Sequence, residues 1–203
     1  MKLAFLTPGT GNYYCGVCMR DNSLAKQLIA QGHDVTMLPT YLPHFLDEDS
    51  ATGDEPIFFG GINVYLQHKF SLFRKTPAWV DKTFDNKWLL RKAAARSGMT
   101  SSKDLGEITL STFRGEDGPL VKEVRKVLDW FKSQGTPDVL LLSTIMLAGI
   151  GKVLKRELKI PVYGFLQGED SFLDSLLPEY RMEAWKLLSQ DVAKLDGCIA
   201  PSK

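Results

Sequence analysis

Cysteine is scarce in this chain and comes in an odd number, with Cys15, Cys18 and Cys198 the three among 203 residues. A disulfide framework needs more, so the core has to close by burial, and this thiol usage argues for reducing, cytoplasmic conditions. Histidine is as sparse, at His33, His44 and His68. With no second paired spacing beside Cys15 and Cys18, the ligand set of a zinc centre is missing, and no metal site is expected. No apolar run approaches a membrane span, and the first apolar segment is too short and too β-like for a secretory signal. Repeats and low-complexity segments are absent. An excess of one charge is missing as well: 25 basic against 24 acidic residues leave a formal +1, which offers no electrostatic footprint for nucleic acid. The balance conceals two poles. Residues 1–60 hold seven acids against three bases, whereas residues 69–96 hold eight bases against Asp81 and Asp85.

What is present is enough chain for one large domain, which at this length buries roughly 70% of its unfolded surface. The organising stretch runs from Leu3 to Leu38. Leu3 to Leu6 is a short apolar run closed by Pro8 and Gly9, as suits a strand covered on both faces. A glycine-bearing loop follows, Gly9 to Gly16. Leu24, Ala25, Leu28 and Ile29 then share one helical stripe, with Asp21 expected at the helix N-terminus and Gly32 at a left-handed C-terminal cap. Val35 to Leu38 restarts an apolar run, which makes the unit a βαβ crossover.

Further along, Pro39 to Glu55 has no periodicity and reads as a long loop with an acidic cluster at Asp47, Glu48 and Asp49. Ile57 to Phe59 is expected to be a third strand, and Gly60-Gly61 breaks it before Ile62, Leu66, Phe70 and Phe73 keep helical spacing. Thr76 to Ser97 reads as basic helix with Trp79, Phe84 and Trp88. The Lys69 to Arg96 stretch is either a solvated helical face or a peripheral contact with an anionic membrane. Ser101 and Asp104 resemble a capping box before Leu105, Ile108 and Phe113, and Gly115 to Gly118 ends that helix. Leu120, Val124, Val127, Leu128 and Phe131 form the stripe of the next helix, with Lys122, Glu123, Arg125 and Lys126 expected to face out. Val139 to Leu142 is uninterrupted apolar sequence, a central parallel strand, followed by a helix through Leu147, Ile150, Leu154 and Leu158. Val162 to Leu166 is another strand. Pro178 opens a final helix carrying Trp185, Leu188, Val192 and Leu195, and Gly197 to Ala200 is a last strand. Six strands alternating with helices predict an α/β fold: a doubly wound, mainly parallel Rossmann-like sheet with helices on both faces, in the order 3-2-1-4-5-6. Strands one and four then stand side by side. Their carboxyl ends, through Gly16 and at Ser143-Thr144, line a crevice beside Gln167 to Asp170.

Backbone N–H groups in a glycine loop that runs into a helix favour phosphate. The loop is nevertheless no dinucleotide fingerprint, since after Gly9 and Gly11 the next glycine is Gly16 and strand two ends in Pro39 and Thr40 rather than an acid. Nor is it a nucleotide-hydrolysing loop, because Gly16 is followed by Val17 and Cys18 in place of lysine and a hydroxyl. Cys15-Gly16-Val17-Cys18 after a strand is also the spacing of a redox dithiol, which makes a thiol–disulfide oxidoreductase a rival enzyme class; the alternative is two soft residues packed beneath a loop. Glu169 and Asp170 are the acids at a strand's carboxyl end, candidates to orient or deprotonate a hydroxyl, or to cap the following turn.

Gly16 to Val35, GVCMRDNSLAKQLIAQGHDV, resembles the G-G-x-E opening of the family 4 glycosyltransferases, with Leu24, Ala25, Leu28, Gly32, His33 and Val35 in register. Ile160-Pro161-Val162 with Leu166-Gln167-Gly168 is similar to the family's I-P-V strand ending in H-G, and Ile199-Ala200-Pro201-Ser202 to the strand leading into its second domain. The resemblance implies residues 1–203 as a single N-terminal, acceptor-side domain of a two-domain GT-B enzyme, with a C-terminal donor-binding domain outside this chain. It implies sugar transfer with retention of configuration, a nucleotide-sugar as co-substrate, no obligatory metal, and a sugar or lipid-linked acceptor. Gly16, with Gly9, Gly11 and Asn12, is expected near the donor phosphates, and Ser143, Thr144, Gln167 and Gly168 across the crevice. Cys15 replaces the family's first glycine, Cys18 stands where an acid is common, and Gln167 stands at its histidine. An amide donates and accepts hydrogen bonds but is no base. A stand-alone sugar- or phosphate-binding module is the non-enzyme alternative. For 203 residues alone, little or no transfer is expected.

Overall fold

A computed structural model describes residues 1–9, 15–53 and 102–200, with side chains from 105 onward in the last stretch. Gly11, Asn12, the strand expected at Ile57 to Phe59, the helix from Ile62 with His68, the basic Lys69 to Arg96 stretch, Ser101 and Pro201 to Lys203 lie outside the described residues.

Five strands, β1 (Lys2–Thr7), β2 (Asp34–Pro39), β3 (Val139–Leu142), β4 (Val162–Phe165) and β5 (Gly197–Ile199), form one all-parallel sheet in the order β2-β1-β3-β4-β5. This is the expected order with its third strand left aside. The helices are α1 (Gly16–Ala30), α2 (Ser102–Arg114), α3 (Val121–Gln134), α4 (Ala148–Leu158), α5 (Glu169–Ser175) and α6 (Pro178–Val192).

Successive strand residues point to opposite faces, and the core divides accordingly. Leu3 and Phe5 of β1 pack with Val35, Met37, Phe165 and Ala25, beneath α1. Ala4 and Leu6 pack with Leu140, Leu142 and Val162 under Phe113, Val127, Phe131, Ile150 and Leu188 of α2, α3, α4 and α6. Each fully buried side chain contributes about 1.5–3 kcal/mol, and both faces of β1 collect it, which is why its sequence is apolar without alternation.

Four expectations are corrected. In α1, Ala25 is buried and Leu24 and Leu28 pack against the same core as expected, but Ile29 is 41% exposed and Cys18, Asp21 and Asn22 are buried in its place. Asp21 is therefore the helix's sixth residue and points inward; the first turn carries no acid. Glu123 is buried rather than outward, 2.9 Å from Lys126 Nζ. Trp185 of α6 is 36% exposed while Ala184 and Leu188 face the core. The left-handed cap holds, with Gly32 at φ +86°.

α2 and α4 touch through backbone. A Cβ on Gly149 would stand 2.2 Å from the Phe113 carbonyl oxygen and 2.5 Å from that of Thr112. Gly149→Ala is expected to force the helices apart and cost about 2 kcal/mol or more, read as a lower urea midpoint; an unchanged midpoint would show that this approach is not rigid.

Candidate functional site

The sheet reverses between β1 and β3. Leu6 pairs with Leu142, and the Ser143 amide donates to the Leu6 carbonyl at 3.0 Å, so the carboxyl ends of the two strands adjoin. From there β1 leads to α1 on one face and β3 to α4 on the other, the reversal at which doubly wound sheets place their ligand crevice.

Gly16 opens α1 at this point, preceded by Cys15 in extended conformation. It is exposed, and a Cβ there would meet nothing within 4 Å. Gly9 also meets a packing demand. Its φ is +71°, and a Cβ would fall 1.6 Å from the Leu42 carbonyl oxygen; the glycine lets β1's exit pack against the loop after β2. Tyr41 and Leu42 donate their amides to the Pro8 carbonyl from the same loop.

Ser143 is the hub. Its carbonyl oxygen accepts from Gln167 Nε2 at 3.1 Å and from Arg20 Nη2 at 3.3 Å, which ties β3 to the end of β4 and to α1. Arg20 also donates to Asp21 Oδ1, through Nε at 2.9 Å and through Nη2. Its guanidinium carbon lies 4.2 Å over the centre of the Phe165 ring, a cation–π contact that fixes the plane of the fork. Asp21 is fully buried, and that burial raises its carboxyl above the ordinary carboxylate range against the opposing pull of Ser143 and Arg20. The Ser143 hydroxyl is near enough to favour the ionised form, yet neither Ser143 Oγ nor Asp21 Oδ2 closes a hydrogen bond of ordinary geometry among the described residues.

Glu169 spends both carboxylate oxygens on neighbouring loops. Oε1 accepts from Thr144 Oγ1 at 2.5 Å and from the Ile145 amide at 3.2 Å, and Oε2 accepts from the Gln167 amide at 2.7 Å. Thr144 in turn accepts from the Met146 amide at 3.2 Å, capping the short 3-10 turn Ile145–Leu147. The acid holds the ends of β3 and β4 together. Asp170, one residue on, is exposed in the first turn of α5, just after Gly168.

The cysteine pair meets at the same helix end. Cys18 is buried, and its thiol is pushed up to about 12 by that burial first and then by Cys15 and Asp21, with a smaller opposing contribution from the Gly9 amide. That environment disfavours a Cys18 thiolate near neutral pH, as befits a soft side chain packed beneath the loop. Cys15, Cys18 and Cys198 are all free thiols.

Two residues that sequence reasoning passed over also belong here. Arg20 carried no motif, because its partners lie 123 and 145 positions away. His44, weighed only as a metal ligand, bonds through Nε2 to the Thr7 hydroxyl at the carboxyl end of β1. It is brought there by Asn22, which donates to the Asp49 carbonyl at 3.1 Å and accepts from the Ala51 amide at 2.7 Å, pinning the loop onto α1. Asn22 is the one signal available in the sequence, a polar residue at a helix position that spacing turns inward. His33 sits at the opposite end of the sheet, 3.4 Å from the N-terminal amine.

Compared with known proteins, the chain matches no family model, no curated protein and no solved structure. Among the described residues no helix is long and apolar enough to cross a membrane, and no group of three or more His, Cys, Asp or Glu is placed to hold a metal ion.

Burial of the His44 imidazole pulls its pKa down to about 4 from an ordinary 6.5. The unfolded chain then binds the extra proton between those values. Stability is expected to be full above pH 6.5 and to fall by on the order of 2–3 kcal/mol as pH drops toward 4, with His44→Gln flattening that window in pH-dependent denaturation. Asp21 has the opposite sign. Its raised carboxyl makes the ionised form a cost that is present above the folded pKa and gone below the unfolded one. Asp21→Asn is expected to raise the melting temperature at pH 7, with the gain vanishing in acid; a lower melting temperature at pH 7 would mean that the Arg20 contact outweighs burial.

Proposed function

We propose that this chain is the acceptor-side domain of a retaining glycosyltransferase of GT-B architecture, working in the cytoplasm on a nucleotide-sugar donor. One observation carries the proposal. The stretches that resemble the family 4 glycosyltransferases, Gly16 to Val35 and the Ile160 to Gly168 strand, are some 130 residues apart, and their polar groups converge on a single oxygen. Arg20 from the first and Gln167 from the second both donate to the Ser143 carbonyl. The third stretch begins at Ile199, the last residue of β5 beside β4, and the Ile199 carbonyl accepts from the Leu166 amide at 3.0 Å.

The chemistry divides as follows. The amides at the start of α1, beginning at the uncovered Gly16, carry the positive end of the helix dipole and favour the donor phosphates. Gln167 orients a hydroxyl without taking its proton. Glu169 is a positioning residue, because its oxygens are committed to Thr144, Ile145 and Gln167. Asp170, exposed beside them, is the carboxylate free of that bracket to meet an acceptor hydroxyl. One helix end supplies only part of the stabilisation that a departing diphosphate needs, so the reaction calls for a facing donor-binding domain. The free thiols agree with a reducing compartment.

The natural protein that carries this chain, given a panel of nucleotide-sugars, is expected to release nucleoside diphosphate and to make a product with the donor's anomeric configuration, read by NMR. Gly16→Ala, for which the fold has room, is expected to leave the melting temperature within a degree or so while raising the donor KM several-fold, since only the space over the helix end changes. Turnover with inversion, or none with any donor, would refute the proposal.

A further inference from the structure

The first turn of α1 carries two thiols that sugar transfer leaves unused. Cys15 is the residue that precedes the helix, extended at φ −129° and ψ 119°, and its carbonyl accepts from the Met19 amide at 3.0 Å, so the helical ladder starts from it. A residue at that position lays its side chain back over the first turn, toward the second and third helical residues. The third is Cys18. The Cys15 side chain makes no capping hydrogen bond, and its thiol stands instead within hydrogen-bonding reach of the Cys18 thiol. Backbone geometry agrees. Only Gly16 and Val17 lie between the two, both helical, which puts the Cα atoms about 5 Å apart. A disulfide spans Cα separations of roughly 4.4–6.8 Å, so this pair can be bridged with the first turn kept helical.

The two sulfurs are unlike, and the difference assigns their parts. Cys15 is half-buried and borders the exposed Gly16, so a small oxidant reaches it. Cys18 is fully buried, and that burial, with Cys15 and Asp21 beside it, holds its thiol protonated. An attacking sulfur has to be reachable from solvent, whereas a resolving one has only to lie next to the mixed disulfide. The order of events follows. Cys15 Sγ, as thiolate, bonds to one sulfur of a small-molecule disulfide; the other sulfur leaves and takes up the proton that Cys15 gave. Cys18 Sγ then bonds to Cys15 Sγ, and its own proton goes to the second departing sulfur. Two protein thiols are oxidised and one external disulfide is reduced to two thiols. Excess external thiol reverses both steps. Cys198 stands apart, on the edge strand β5 with β3 and β4 between it and β1.

We propose that Cys15 and Cys18 are a reversible redox pair, Cys15 the attacking sulfur and Cys18 the resolving one, whose disulfide closes across the first turn of α1. The bridge encloses Gly16 and Val17, whose amides open the helix, so oxidation alters the helix end beside the carboxyl ends of β1 and β3. The inference stands apart from the glycosyltransferase reading, since it needs neither donor nor acceptor.

The test equilibrates the chain, near neutral pH, with glutathione and glutathione disulfide in graded ratios, quenches with acid, alkylates the remaining thiols and reads the products by mass spectrometry. At ratios that leave Cys198 mostly free, two of the three thiols are expected to be lost together, with Cys15 and Cys18 both unalkylated and no glutathione attached, because the second step is intramolecular. Excess glutathione is expected to return all three. Cys18→Ser, confirmed folded by its melting curve, is expected to stop with glutathione on Cys15, and Cys15→Ser to leave Cys18 reduced until urea unfolds the chain. The inference is overturned if glutathione accumulates on Cys15 of the unaltered chain, if Cys18 of the folded Cys15→Ser chain takes up glutathione, or if Cys198 is modified before the pair. Retention of both thiols at the most oxidising ratio overturns it as well, and leaves the two as packing residues. None of these outcomes depends on sugar transfer, so the two proposals fail separately.

Discussion

The pairing of β1 with β3 is the constraint on which the rest depends. Parallel neighbours whose connections leave toward opposite flanks cannot be covered by one crossover, so the sheet opens at their carboxyl ends. The Ser143 carbonyl at that opening serves two donors from two other elements. Remove the β1–β3 register and Arg20, Ser143 and Gln167 have no reason to be near one another. The two-sided core answers to the same pairing, since α1 covers one face of β1 and the remaining long helices the other.

The inward face of α1 shows what this arrangement costs. At positions that could hold apolar side chains, the helix buries Asp21 and Asn22. Asn22 is satisfied by the loop after β2 and carries that loop, with His44, onto Thr7. Asp21 is ionisable in a setting that disfavours its charge. Local choices that work against stability concentrate where a chain binds or reacts, because such sites hold groups ready for a partner rather than for one another. Cys18, beside them, is the contrasting case: a soft side chain whose burial disfavours its thiolate.

The fold was legible to the extent that strands were apolar on both faces. Leu3 to Leu6, Val139 to Leu142 and Val162 onward are short unbroken runs, and burial on both sides of a parallel sheet demands that pattern. The stripe of α3 was equally plain, save for Glu123, whose ion pair with Lys126 lets it turn inward. The site was less legible. Gly16, Ser143, Thr144, Gln167 and Glu169 followed from strand ends, whereas Arg20 and His44 owe their places to side-chain contacts that no local pattern encodes. Gly9, expected beside a ligand, carries in addition a packing demand that no local pattern announced: its missing Cβ makes room for Leu42.

By itself, then, the order of apolar runs and breaks determined a doubly wound parallel sheet and the place where its crevice opens, because hydrophobic periodicity and chain connectivity are properties of neighbouring residues. Which polar groups meet in that crevice was decided only in three dimensions. Direction and burial are set by packing across separations of more than a hundred residues, so a carboxylate at one helical position becomes a buried partner of an arginine, and a glutamate at a strand end becomes a brace between loops.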